Sequence, residues 1–171
     1  MEKKKNLSNI FVPTTDNANF KIGIIVSMWN DTVTGALKEG ALNTLWEAGV
    51  PKSNTLVYNV PGSFELPSAA AMLLDANEDI DAVICLGCII QGETRHFEFI
   101  AQAVANGIAK VGIEYTIPVI FGVLTCDTAE QAADRSGGKH GNKGVEAAAS
   151  CLQMLHTHKK MYSKMGESVK R

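Results

Sequence analysis

The densest run of chemistry-bearing residues in this chain is Gly87-Cys-Ile-Ile-Gln-Gly-Glu-Thr-Arg-His96. An apolar strand pattern ends there at Ile90, Gly92 permits an unusual backbone turn, and a helix begins near Thr94. The first N–H groups of a helix have no partner within it, so such a start is a generic anion site. His96 falls in the first turn, beside any anion held there, and an imidazole titrates near neutral pH. It is the one histidine in a strand-end loop, which makes it the candidate general acid and base. A lone histidine serves packing just as readily. Three more segments carry suggestive groups. Met28-Trp-Asn-Asp31 puts a large flat ring in a polar turn, where stacking on a planar heterocycle explains it better than packing; a sheet-edge cover or subunit contact is the competing reading. Pro61-Gly-Ser-Phe-Glu65 offers backbone N–H groups, an apolar ring and a carboxylate that also suits a first helical turn. Thr125-Cys-Asp-Thr-Ala129 leads into a helix ending at Arg135, whose guanidinium fits a bidentate grip on phosphate or compensates the helix C-terminus.

These segments are placed by a regular alternation. Phe20–Ser27, Thr55–Val60, Asp81–Ile90 and Pro118–Leu124 read as strands, nearly continuous in apolar residues as buried parallel strands are. Helices are expected over Thr32–Gly49, Phe64–Leu74 and His96–Val111. Thr128-Ala-Glu-Gln131 is a capping box that opens a short helix, stopped by Ser136-Gly-Gly138. Asn142 caps a last helix running to about Lys160. The pattern predicts one α/β domain over residues 19–160, a parallel sheet with helices on both faces, because parallel strands need right-handed helical crossovers. An arm over 1–18 precedes it and a basic tail over 161–171 follows. In such sheets ligands bind beyond the carboxyl ends of the strands, where all four segments fall.

The chain has 171 residues, 46% hydrophobic and 20% charged, which suits one domain with a full core. Residues 16–155 carry eight basic against sixteen acidic residues, a net charge of −8, so a broad nucleic-acid surface is excluded. Within that body arginine occurs only at positions 95 and 135, which leaves few grips for a phosphate. The longest apolar run, Ala82–Ile90, is too short to span a bilayer, and no apolar stretch follows the basic start, so a soluble cytoplasmic protein is expected. Cys85-Leu-Gly-Cys88 sits inside that run. Strand positions three apart face opposite ways, so the two sulfurs can share neither a metal nor an easy disulfide. With Cys126 and Cys151 they read as core cysteines. No GxGxxG follows a strand, Gly138-Lys139 is followed by His140 rather than Ser or Thr, and no GxSxG elbow occurs. The residues alone reach an α/β protein for a flat heterocycle and a small phosphorylated partner.

Taken together in order and spacing, Trp29-Asn30, Pro61–Glu65, Leu86–His96, Pro118–Thr125 and Arg135-Ser-Gly-Gly-Lys-His-Gly-Asn-Lys-Gly144 resemble the lumazine synthase family over about residues 21–156. The resemblance implies a flavodoxin-like three-layer α/β/α sandwich with a four-stranded parallel sheet. It implies condensation of 5-amino-6-(D-ribitylamino)uracil with 3,4-dihydroxy-2-butanone 4-phosphate to 6,7-dimethyl-8-ribityllumazine, with no metal or organic cofactor. Trp29 would stack on the pyrimidine; Ser63, Phe64 and Glu65 would hold ring and ribityl groups; Cys88, Ile89 and Ile90 would offer backbone contacts. Glu93 and Thr94 would cradle the phosphate with Arg135, and His96 would be the acid and base. Phe121 and Arg135 would come from a neighbouring subunit of a pentamer. The short link Gly137–Asn142 points to pentamers packed into an icosahedral shell, and riboflavin synthase is an expected associate. Arg95 is expected to face solvent. Three alternatives stand beside this: a non-catalytic relative that keeps the pocket, an archaeal-type riboflavin synthase, against which the Gly92-Glu-Thr94 loop and Arg135 argue, and a flavodoxin-like electron carrier, which would need a phosphate loop where Trp29-Asn-Asp-Thr32 stands.

Overall fold

Nine residues of almost unbroken apolar character, Ala82–Ile90, form the longest strand, β3, and its two faces feed two separate cores. Ala82, Ile84, Leu86 and Cys88 point to one side, Val83 and Cys85 to the other, as strand alternation requires. The computed structural model describes residues 11–168, with the side chains of the last helix described as far as Ser163. Lys3, Lys4 and Lys5 of the expected arm and the end of the basic tail lie outside the described residues.

β3 pairs in parallel with β1 (Ile22–Ser27) and β4 (Val119–Cys126), and β1 pairs in parallel with β2 (Thr55–Val60), giving the order β2-β1-β3-β4. Helices α1 (Asp31–Glu47), α4 (Ala129–Asp134) and α5 (Lys143–Ser168) cover the face that holds Leu37, Leu45, Ala132, Cys151 and Leu152. On the opposite face lie α2 (Leu66–Ala76) and α3 (His96–Tyr115), through Leu66, Leu73, Val104 and Ile108. The result is the three-layer α/β/α sandwich. Cys85 and Cys88 fall in different cores, and all four thiols are free and buried.

The capping signals read from sequence hold. Gln131 N donates to Thr128 Oγ1 at 3.2 Å, and Gly144 N donates to Asn142 Oδ1 at 2.8 Å where α5 starts. Three details differ from expectation. α5 continues through Ser168 rather than stopping near Lys160, since no proline interrupts that stretch. The expected plain link between α4 and α5 is a small hairpin, β5 (Ser136–Gly138) and β6 (Gly141–Asn142), with Gly137 and Gly141 at φ of 124° and 81°. Gly92, expected to bend the chain, has no positive φ, and a β-carbon there would meet nothing within 4 Å, so neither the backbone nor close packing demands glycine at this position.

Candidate active site

The order of the sheet reverses between β1 and β3, and open α/β sheets take ligands in the crevice at that point. A cavity of about 440 Å³ lies there. It is lined by Trp29 and Asn30 after β1, by Ser63, Phe64 and Glu65 after β2, by Cys88, Ile89 and Ile90 at the end of β3, and by Thr94 and His96 at the start of α3. These ten residues, all from segments singled out in the sequence, thus meet in one place, although up to 67 positions separate them in the chain. Phe97 and Ile100 complete its apolar wall. Neither was singled out in the sequence, where they fall inside the helix expected from His96.

Each wall is held by backbone chemistry. Trp29 N donates to Pro61 O at 3.1 Å and Met28 N to Val60 O at 2.8 Å, which locks the turn after β1 to the turn after β2. Asn30 takes the left-handed conformation at φ 60°, a region that asparagine tolerates better than most residues. Its Nδ2 donates to Cys88 O at 3.2 Å, and Ser63 Oγ donates to the same carbonyl at 3.4 Å. The end of β3 is therefore tied to both neighbouring loops. One oxygen of Glu65 accepts from Gly62 N at 2.9 Å, so the carboxylate caps the helix start while lining the cavity. Service to the first helical turn and a place on the cavity wall are therefore compatible in Glu65.

His96 opens α3 in the exposed rim, and its backbone N–H donates to Thr94 Oγ1 at 3.4 Å. Trp29 and Phe64 are 67% and 55% exposed, so the aromatic wall is built but left uncovered by its own chain. Burial, with the nearby Cys126 adding to it, pushes the Cys88 thiol up to about 11; the sulfur lining this cavity is therefore no thiolate nucleophile near neutral pH. Glu93 is exposed and is not among the residues lining this cavity. Arg95 is likewise turned to solvent, where it pairs with Glu98 at 3.3 Å, as the solvent-facing reading has it.

Phe121 and Arg135 do not join this group. They line a second cavity of about 820 Å³ that runs along β4, where Phe121 sits, to α4 and the start of α5, together with Thr128, Asp134, Lys139, His140 and Lys143. Arg135 Nη2 lies 3.4 Å from Glu146 Oε1, and Lys143 Nζ lies 3.1 Å from Glu146 Oε2, so one carboxylate sits between the two cations. Lys143 was not singled out in the sequence. Its signal was there: one of only eight basic residues in an acidic body, directly after a capping asparagine. The chain thus presents two separate cavities, one with exposed aromatic rings and a histidine, the other lined by cations.

The family described as 6,7-dimethyl-8-ribityllumazine synthase matches residues 19–159. The chain is 53% identical over 151 residues to the 6,7-dimethyl-8-ribityllumazine synthase of Cytophaga hutchinsonii, covering 88% of this chain and 94% of that protein. To the protein of the same name from Porphyromonas gingivalis it is 49% identical over 136 residues, 80% of this chain and 84% of that one. A third relative so named, from Bacteroides fragilis, is 48% identical over 135 residues, covering 79% and 94%.

Proposed function

This chain belongs to the 6,7-dimethyl-8-ribityllumazine synthase family, and from that premise we propose that it condenses 5-amino-6-(D-ribitylamino)uracil with 3,4-dihydroxy-2-butanone 4-phosphate to 6,7-dimethyl-8-ribityllumazine. Phosphate and water leave, and the enzyme is a transferase of riboflavin biosynthesis. The observation that carries the reading is the convergence of Trp29, Ser63, Phe64, Glu65 and His96 on one cavity at the switch point of the sheet. An exposed indole facing a carboxylate and a carbonyl-lined strand end suits a flat, polar-edged heterocycle.

In this reading the uracil ring stacks on Trp29, and Ser63, Phe64 and Glu65 hold ring and ribityl groups against the backbone of Cys88, Ile89 and Ile90. The amine attacks the ketone of the second substrate, water is lost to give an imine, phosphate leaves by β-elimination, and the ring closes on the second carbonyl. His96 at the cavity rim moves the protons of these steps, which suit an imidazole. The phosphate lies at the start of α3, near Glu93 and Thr94, where unpaired N–H groups stabilise its charge as it departs. Holding two substrates in register is the remaining contribution, and that entropic share can be the largest.

Phe121 and Arg135 complete the site from a neighbouring subunit. Two facts support this: within one chain they line a separate cavity, and the aromatic half-site stands open to solvent. Met72 on α2 and Phe99 and Ile113 on α3, all 64% exposed or more, give a solitary chain an apolar surface that suits subunit contact. A pentamer, packed further into an icosahedral shell, is the proposed assembly, with residues 19–160 as the catalytic domain. Four unpaired thiols fit a reducing cytoplasm; association with riboflavin synthase belongs to the same reading. The test is formation of the lumazine chromophore from the two substrates, measured against an enzyme-free blank and Arg135→Ala. A large enhancement that Arg135→Ala loses supports both reaction and phosphate grip. A rate no better than the blank, from assembled protein, moves the reading to a non-catalytic binding or shell protein.

A further inference from the structure

Asn142 stands between the cationic half-site and the rest of the fold, and its side chain binds three elements at once. Nδ2 donates to Ala36 O on α1 at 2.9 Å and to Ser136 O on β5 at 3.3 Å. Oδ1 accepts from Gly144 N at 2.8 Å and from Val145 N at 3.4 Å in the first turn of α5. Two carbonyls on one side of the amide and two N–H groups on the other fix which way it points. The backbone closes the same knot: Lys143 N donates to Arg135 O at 2.9 Å, and Ser136 pairs with Asn142 across the hairpin.

α1 is shaped to receive this side chain. A β-carbon on Gly40 would stand 2.7 Å from Asn142 Oδ1 and 2.8 Å from its Nδ2, and one on Gly144 would overlap the carbonyl oxygen of Leu37. Only glycine at both positions lets α5 begin this close to α1.

Capping explains half of these contacts. A helix N-terminus needs an oxygen acceptor, and Ser, Thr or Asp supplies one as well as Asn. The Nδ2 contacts do something else. Arg135 and Lys143 sit at the end of α4 and the start of α5, joined by a hairpin whose Gly137, Gly138 and Gly141 give it little stiffness of its own. Nδ2 pins that hairpin to α1, which packs on the sheet through Leu37, Ala41 and Leu45.

We propose that Asn142 is the positioning residue of the cationic half-site: by tying hairpin and α5 to α1 it sets where Arg135 and Lys143 stand, and so how tightly the phosphorylated substrate is held. This rests on the reading of Arg135 as a phosphate grip. Two variants separate positioning from capping. Asn142→Ser keeps a capping oxygen and removes both donations. Gly40→Ala leaves Asn142 intact but drives a methyl group into it from α1, and it carries the test should Asn142→Ser fail to assemble. On assembled protein, calorimetric titration of inorganic phosphate and the KM of each substrate are measured beside Arg135→Ala. Phosphate affinity is expected to fall and the KM of the phosphorylated substrate to rise about tenfold in both variants, since sub-ångström misplacement of charged groups costs this order. The KM of the uracil substrate and the pH profile of kcat stay as in the unaltered protein. A parallel rise of both KM values, or unchanged phosphate affinity in both variants, overturns the inference. Wild-type phosphate affinity in Arg135→Ala overturns the phosphate reading itself, and the inference with it.

Discussion

The indole of Trp29 lies against the α-carbon of Gly62: a β-carbon there would stand 2.6 Å from both Cε3 and Cζ3 of the ring. The benzo edge of the indole is thereby held on a backbone that Glu65 caps from beneath. Gly62 has φ −130°, extended backbone open to any residue, so its glycine answers to the ring and not to a turn. Gly62→Ala is expected to tilt the indole and raise the KM of the uracil substrate about tenfold, the order of an aromatic stacking interaction. Inorganic phosphate affinity should not move. Trp29 emission on substrate binding reads the tilt directly, with Trp29→Phe removing its signal; an unchanged KM would show that the ring has room to adapt.

His96→Ala is expected to keep measurable activity, losing on the order of 10²–10⁴ in rate, because proton transfer is one contribution beside substrate register and phosphate stabilisation. Single-turnover rates against the enzyme-free reaction measure this. A larger loss in correctly assembled protein would mean that acid–base chemistry outweighs the rest.

Arg135 and His96 line different cavities of one chain, which makes a mixing experiment decisive. Refolded together in equal amounts, His96→Ala and Arg135→Ala chains should regain activity. In a ring assembled at random, about a quarter of the interfaces bring an intact His96 half-site to an intact Arg135 half-site. Activity that stays at the level of the separate variants would place each site within one chain.

Light scattering decides the assembly. The hairpin between α4 and α5 spans only Ser136–Asn142, and the shell proposal rests on the shortness of that link. Particles of shell size are expected, and a population of single pentamers would end the shell proposal.

The thiols give a pH dependence. Burial pushes Cys88 up to about 11 and Cys85 up to about 12, and raises Cys151 still further, against a value of 9.0 for a free thiol. Above pH 9 the unfolded chain releases these protons while the folded chain keeps them, so stability falls as pH rises from about 9 toward 12. Below pH 9 both states hold them and this dependence vanishes. Melting temperature against pH should show the fall, less steep in Cys85→Ala, and a thiol reagent at pH 8 should label the protein only after unfolding.

What the sequence determined by itself is what repeats locally. Alternation along Ala82–Ile90 already separated Cys85 from Cys88, the 3.6-residue spacing marked α1 through Leu37, Ala41 and Leu45, and Thr128 and Asn142 announced their helices, because strand facing, helix period and capping depend on residues within a few positions. The strand-end loops could therefore be named as the site before their contacts were known. Tertiary structure decided what no local pattern encodes. Strand order β2-β1-β3-β4 brought the turns after β1, β2 and β3 around one crevice and left Phe121, on the edge strand β4, with Arg135 at another. Packing laid Trp29 on Gly62 and set Lys143 beside Arg135 across one carboxylate, and the backbone makes no positive-φ turn at Gly92. These relations join residues distant in the chain, and only the order of strands in the sheet and the close approach of helices fix the distances between them.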